Sequence, residues 1–173
     1  RSCIDFRRLN LLLENSGWPL PKIKEVLMLI GHCKPKFLGK FDLTDGYHQM
    51  AVAAECRKYT AFRAPQGLYE WARVPMGIKK AAGYFQHNMQ VILGDLLYNG
   101  VIVYLDDIII YAEDFESYCN IVEKILARLQ KHDIVISPNK AFLNLDKMEI
   151  LGHEIDSEGV RFSREKLAGV LNF

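Results

Sequence analysis

The sequence has no apolar run near the roughly 18 residues that a membrane-spanning helix requires. Its most hydrophobic stretch, Val101 to Ala112, is broken at its centre by Asp106 and Asp107. The opening residues lack the basic-then-apolar pattern that directs secretion. Cysteine is sparse and scattered: Cys3, Cys33, Cys56 and Cys119 include no Cys-x-x-Cys pair. That spacing excludes the common zinc sites and a disulfide framework, and points to free or buried thiols in a reducing, intracellular setting. There is no internal repeat and no low-complexity tract. Proline is rare, and two of the six stand together in Trp18-Pro19-Leu20-Pro21, which marks a rigid extended segment. Nor is there a large charge of one sign, since the formal net charge is only +1. This near-neutrality hides a segregation. Residues 1–40 hold eight Lys/Arg against three acids, and residues 56–80 hold six against Glu70 alone. The rest of the chain is therefore acidic, and a basic surface beside an acidic centre suits phosphate contacts around a metal site.

What is present is ordinary globular composition, half hydrophobic and a quarter charged. At 173 residues the chain can build one substantial core or two interlocked lobes. Both ends read as cuts through a longer protein, Arg1 beside a predicted strand (2–6) and Phe173 in a helical pattern that begins at Ser163. Apolar spacing predicts helices over 22–30, 79–97 and 115–131. Strands are expected at 37–42, 101–105 and 108–111, with shorter ones around Ile134, Phe142 and 149–155. The segments 59–63 and 69–73 flank Pro65-Gln66-Gly67 as a hairpin. In order, the central elements read β-α-β-β-α-β, the split βαβ pattern of an α+β fold with two helices on one face of an antiparallel sheet. Residues 1–35 and 50–78 fall outside that unit and would form a second, basic lobe.

Adjacent carboxylates at the tip of a tight hairpin repel one another. Asp106 and Asp107 sit between Val101-Ile102-Val103 and Ile108-Ile109-Ile110, strands too hydrophobic to be exposed. A solvated turn chosen for its geometry is the bland reading. Asp42 changes the balance, because it ends a strand that neighbours this hairpin in a β-α-β-β-α-β sheet. Carboxylates on adjacent strands can hold two divalent ions about 4 Å apart, one activating an attacking 3′-hydroxyl and the other holding a triphosphate. Hard oxygen donors without nearby His or Cys favour Mg²⁺ over zinc.

These residues also carry a resemblance. Phe41-Asp42-Leu43-Thr44-Asp45-Gly46-Tyr47-His48-Gln49 and Tyr104-Leu105-Asp106-Asp107 resemble motifs A and C of reverse transcriptases, of the gypsy-type LTR retrotransposon branch. Val74-Pro75-Met76-Gly77-Ile78-Lys79-Lys80-Ala81-Ala82-Gly83-Tyr84-Phe85-Gln86 resembles motif B. Cys3 to Asn10 with Pro19-Leu20-Pro21 resembles the fingers motifs, and Leu151-Gly152-His153-Glu154-Ile155 resembles the primer-grip hairpin. The resemblance implies a polymerase palm (36–49 and 79–173) with a fingers subdomain (1–35 and 50–78). It implies a metal-binding catalytic triad of Asp42, Asp106 and Asp107, with two Mg²⁺ ions, or Mn²⁺ in their place. Lys140 would donate a proton to departing pyrophosphate. Arg1, Asp45, Gly46, Tyr47, Met76 and Gly77 would meet the incoming nucleotide, and Tyr104, Leu151 and Gly152 the primer and template. The implied partners are an RNA or DNA template, a DNA or tRNA-type primer and deoxynucleoside triphosphates. The chain would be part of a polyprotein with ribonuclease H and integrase, in a cytoplasmic particle or the nucleus. Lys80 and Ala82-Gly83 depart from the family's small or Asn residue and Pro-containing turn.

Two other readings compete. A domesticated, non-catalytic reverse-transcriptase fold would bind RNA or protein, but all three aspartates are present. An RNA-recognition module of the same topology would need aromatic and basic central strands, where this chain carries carboxylates. His48, His87 and His132 are too dispersed for a metal site, Trp18 and Trp71 are expected to pack, and Lys124, Arg128 and Lys131 to form a solvated helix face.

Overall fold

The computed structural model describes residues 4–14 and 17–163. Its α-helices are α1 (Arg7–Leu12), α2 (Ile23–Cys33), α3 (Gly46–Gln49), α4 (Ala54–Arg57), α5 (Ala81–Leu93) and α6 (Phe115–Lys131). Its strands are β1 (Phe37–Asp42), β2 (Phe62–Ala64), β3 (Gly67–Tyr69), β4 (Val101–Tyr104), β5 (Asp107–Ala112), β6 (Phe142–Leu145), β7 (Lys147–Ile150), β8 (His153–Asp156) and β9 (Gly159–Phe162).

The central sheet runs β4-β5-β1-β6 with every pairing antiparallel. With α5 between β1 and β4, and α6 between β5 and β6, this is the expected split βαβ unit of an α+β fold. One face packs on α5 and α6: Phe41, Val103, Ile108 and Ile110 meet Phe85, Met89, Leu93, Ile125 and Leu129. The opposite face is also covered. Leu38, Ile102, Ile109 and Tyr111 pack on Val26, Leu27 and Ile30 of α2 and on Met148, Ile150 and Ile155 of the β7-β8-β9 meander. That second layer explains why Ile108-Ile109-Ile110 is continuously apolar rather than alternating. It also places α2 against the sheet, although its residues fall within the segment grouped by sequence with the basic lobe.

Local chemistry sets the element ends. The Asp114 carboxylate accepts the Ser117 backbone N–H at 2.8 Å, an N-cap that starts α6 where the periodicity predicts. α5 is shorter than its 79–97 pattern, because Gly94 turns the chain at φ +48 and a 3₁₀ turn follows. Arg128 caps that end, its guanidinium donating to the Leu93 carbonyl and to Asp95. Arg128 thus leaves the solvated face to which the sequence assigned it. The β2–β3 hairpin is offset from its expected bounds, since Tyr59 lies in a 3₁₀ turn and the Thr60 hydroxyl takes the Trp71 N–H at 2.9 Å. The strand expected at 2–6 is not formed over Ile4 to Phe6, where the Asp5 carboxylate instead accepts the Arg7 N–H and opens α1. Around Ile134 a single bridge, Leu43 to Ile136, replaces the expected strand. The helical pattern after Ser163 lies outside the described residues. Among the described residues no helix is long and apolar enough to cross a membrane.

The extended Trp18 segment crosses α5 at Gly83, where a Cβ would come within 2.9 Å of the Trp18 carbonyl oxygen. Only glycine lets the two backbones approach so closely. The Trp18 ring meets His87 at a tilt, with centroids 4.2 Å apart, and its indole N–H donates to Gln90 at 2.6 Å. His48 stacks on Trp71 at 5.4 Å. Both tryptophans therefore make packing contacts, with Trp18 still 47% exposed.

Candidate active site

β1 and β5 are in register so that Asp42 lies directly opposite Asp107, with Asp106 at the adjoining β4–β5 turn. Three carboxylates thus occupy one end of the sheet, where apolar strands hold them rigidly. Like charges directly opposite one another destabilise a sheet, and two lysines offset this. Lys40 Nζ stands 2.8 Å from Asp107 Oδ2, and Lys140 Nζ stands 3.4 Å from Asp42 Oδ1. Asp106 is in neither pair, and its Oδ1 is buried without a hydrogen-bond partner. Burial first, then the neighbouring charges of Asp42 and Asp107, push its pKa above the usual carboxylate value, with Lys140 opposing. As the side chains stand, no three His, Cys, Asp or Glu groups among the described residues converge on a point that would hold an ion. The donor set nevertheless fits a hard divalent cation, since the oxygens are carboxylate and Asp106 carries a buried oxygen that lacks a partner. Asp107 is already paired with Lys40.

The turn that carries Asp106 is strained, since Leu105 sits at φ +52, a conformation costly for a non-glycine residue. Gln86 of α5 holds it. Its side chain is fully buried, its Oε1 accepts the Leu105 N–H at 3.0 Å and its Nε2 donates to the Val103 carbonyl at 2.9 Å. Sequence reasoning gave Gln86 no role. A polar residue on an otherwise apolar helix stripe (Phe85, Met89, Leu93) was the signal that could have found it. Gln86→Leu would strand both backbone groups at about 1–3 kcal/mol each. Its urea midpoint should fall accordingly, and a midpoint within error of wild type would show that the turn does not depend on Gln86.

Lys140 ends a 3₁₀ turn whose preceding Ser137 N–H donates to the Asp42 carbonyl at 2.8 Å, tying that loop to β1. Gln49 steadies the same region, donating to the carbonyls of Thr44 at 2.5 Å and Val135 at 2.9 Å. Asp45 turns the chain at φ +47 into α3. Gly46 lies under Asp106, where a Cβ would come within 3.1 Å of Oδ1 and 3.2 Å of the Phe85 ring. Tyr47 meets Phe85 edge-on at 5.4 Å, and burial followed by the Asp106 charge raises its phenol pKa. Tyr104 pairs with Asp107 in the hairpin. Met76 and Gly77 lie farther along the chain in a loop fastened to α1, with Asn10 donating to the Gly77 carbonyl and accepting the Lys79 N–H, both at 2.8 Å. Leu151 and Gly152 form the two-residue turn of the β7–β8 hairpin, both at positive φ. Arg1 lies outside the described residues.

A family model described as reverse transcriptase (RNA-dependent DNA polymerase) matches residues 1–155. The chain belongs to the reverse transcriptase family. Its relatives include gypsy-type LTR retrotransposon proteins. The retrovirus-related Pol polyprotein from transposon opus of Drosophila melanogaster is 30% identical over 170 residues, covering 98% of this chain. That from transposon gypsy of the same organism is 30% identical over 173 residues, covering 100% of it. The chain spans only 17% and 16% of those relatives' own length. This reverse transcriptase domain also has the fold of a foamy viral protease-reverse transcriptase solved with double-stranded DNA, with a TM-score of 0.88 at 22% identity over 100% of this chain and 30% of the other. A foamy viral protease-reverse transcriptase with an RNA/DNA hybrid matches at a TM-score of 0.82 and 22% identity, covering 97% of this chain and 22% of the other.

Proposed function

We propose that this reverse transcriptase domain extends a primer 3′-hydroxyl with deoxynucleoside triphosphates along an RNA or DNA template. The observation that supports it most is the register of Asp42 against Asp107 beside the buried, unpartnered Oδ1 of Asp106. These three side chains would hold two Mg²⁺ ions, or Mn²⁺. Such ions would supply charge to lower the pKa of the attacking hydroxyl and to stabilise the leaving pyrophosphate. The chain's own residues do the positioning. Gln86 keeps the carboxylate turn in place, and Gly46 leaves room beneath Asp106. Lys140 hands a proton to the departing pyrophosphate. Tyr47, backed by Phe85, lies under the sugar and denies space to a 2′-hydroxyl. Asp45, Gly46, Met76, Gly77 and Arg1 contact the nucleotide, and Tyr104, Leu151 and Gly152 the primer and template.

In this reading residues 1–35 and 50–78 act as fingers, and 36–49 and 79–173 as palm. The primer is DNA or tRNA-type, the parent polyprotein adds ribonuclease H and integrase, and the setting is a cytoplasmic particle or the nucleus. Primer extension by the full-length protein tests the reading. Extension should require Mg²⁺ or Mn²⁺ and stop on chelation, and extension that persists in chelator would refute it. The same assay reads Tyr47: Tyr47→Val should raise the ribo-to-deoxyribonucleotide ratio of kcat/KM by about 10–200-fold, the scale on which a small steric group discriminates.

A further inference from the structure

The sequence gives Lys40 no role, and the proposed chemistry assigns it no step. Its geometry says otherwise. Lys40 stands two residues before Asp42, so both side chains share one face of β1. In register it opposes Ile109, and its side chain reaches diagonally to Asp107, the neighbour on that face of β5. The two side chains retain only 26% and 27% of their exposure. By contrast, Lys140 in its pair with Asp42 is 65% exposed and a longer 3.4 Å away. Lys40 is therefore the better-shielded cation, and its attraction to Asp107 is correspondingly less screened.

We propose that Lys40 is a built-in counter-ion that occupies Asp107 until a divalent ion displaces it, so that Lys40 sets how tightly this site takes the metal. The inference rests on the metal-binding role proposed above for Asp42, Asp106 and Asp107. The ammonium and a divalent ion would compete for the same carboxylate, since Asp107 Oδ2 already lies 2.8 Å from Nζ. In return, Lys40 relieves the opposed Asp42–Asp107 charges when no ion is bound. Removing it should therefore tighten metal binding and weaken the metal-free fold together. A merely structural lysine would do only the second.

Mn²⁺ binding to the full-length protein, followed by electron paramagnetic resonance without nucleotide or template, tests this. Binding that survives in Asp106→Asn is assigned to other sites and subtracted. Lys40→Met keeps the apolar stem and removes the charge. It should bind Mn²⁺ about tenfold or more tightly, the scale of one charge-assisted hydrogen bond, and melt lower in chelator. Lys40→Gln, a neutral donor that keeps a hydrogen bond, should shift affinity the same way by less, and it serves if the Met variant does not fold. Lys40→Arg should return the wild-type affinity. Unchanged or weaker Mn²⁺ binding in the neutral variants, with wild-type binding intact, would overturn the counter-ion role alone. Wild-type binding identical to that of Asp106→Asn would instead overturn the metal reading, and the inference with it.

Discussion

Asp106→Asn should abolish primer extension, lowering the single-turnover rate by more than about 10³-fold, while leaving the fold at least as stable as before. The catalytic half of that expectation follows from what the carboxylate supplies. Phosphoryl transfer is catalysed almost wholly by positioning and charge, and losing one charged group from such a clamp costs about 10³–10⁵. An amide keeps the shape of the carboxylate and removes the charge that a divalent ion needs. The stability half follows from the pKa. Burial, and then Asp42 and Asp107, raise Asp106 above its ordinary value in the folded state. A carboxyl so raised favours the fold at low pH and loses that contribution as pH rises through its folded-state pKa. Without metal, the charge that Asp106 takes on as pH rises therefore opposes folding, and asparagine removes that opposition. The urea midpoint of the metal-free variant should match or exceed wild type near pH 7, and the margin should shrink in acid. Near-normal extension by Asp106→Asn would end the assignment of this residue as a metal ligand. Lost extension with a lower midpoint would make Asp106 structural.

How far the sequence alone carries depends on which interactions are local. α6 was readable because the apolar spacing that marks it runs its whole length, Phe115 to Lys131. The β-α-β-β-α-β order was readable because hydrophobic period and turn chemistry are local too, and from that order came the placement of Asp42 beside the hairpin. What could not be read is what covers the far face of the sheet. Nothing in Val26, Leu27 or Ile30 says which surface they meet, and nothing in 147–162 announces a three-stranded meander beneath them. The site shows the same division. The carboxylates announce themselves through their cost, whereas Gln86 and Lys40 act through partners 19 and 67 positions away in the chain (Leu105 for Gln86, Asp107 for Lys40). Only packing brings those pairs together. Arg128 was misjudged for that reason: its partners, Leu93 and Asp95, lie on another helix end.

Lys140→Ala should slow the chemical step by about 10²–10⁴-fold, the range for loss of a positioned general acid, while the dissociation constant of the nucleotide changes much less. The structure supplies the condition that such an acid must meet, which is proximity on a fixed support. The Ser137 N–H anchors the loop to the Asp42 carbonyl at 2.8 Å, and the following 3₁₀ turn delivers the Lys140 ammonium to 3.4 Å from the Asp42 carboxylate. That ammonium is also 65% exposed, so it is free to leave Asp42 and follow a phosphate as substrate enters. The competing account is that Lys140 acts only as a positive charge drawing in the triphosphate. Both accounts predict a defect in alanine, so the split between kcat and KM and a second substitution decide. Lys140→Arg keeps the charge but holds its proton too firmly to donate. A proton donor requires arginine to restore nucleotide affinity and leave the single-turnover rate low. If arginine restores the rate as well, or if alanine weakens binding and spares the chemical step, Lys140 is an electrostatic contact and the proton must come from water.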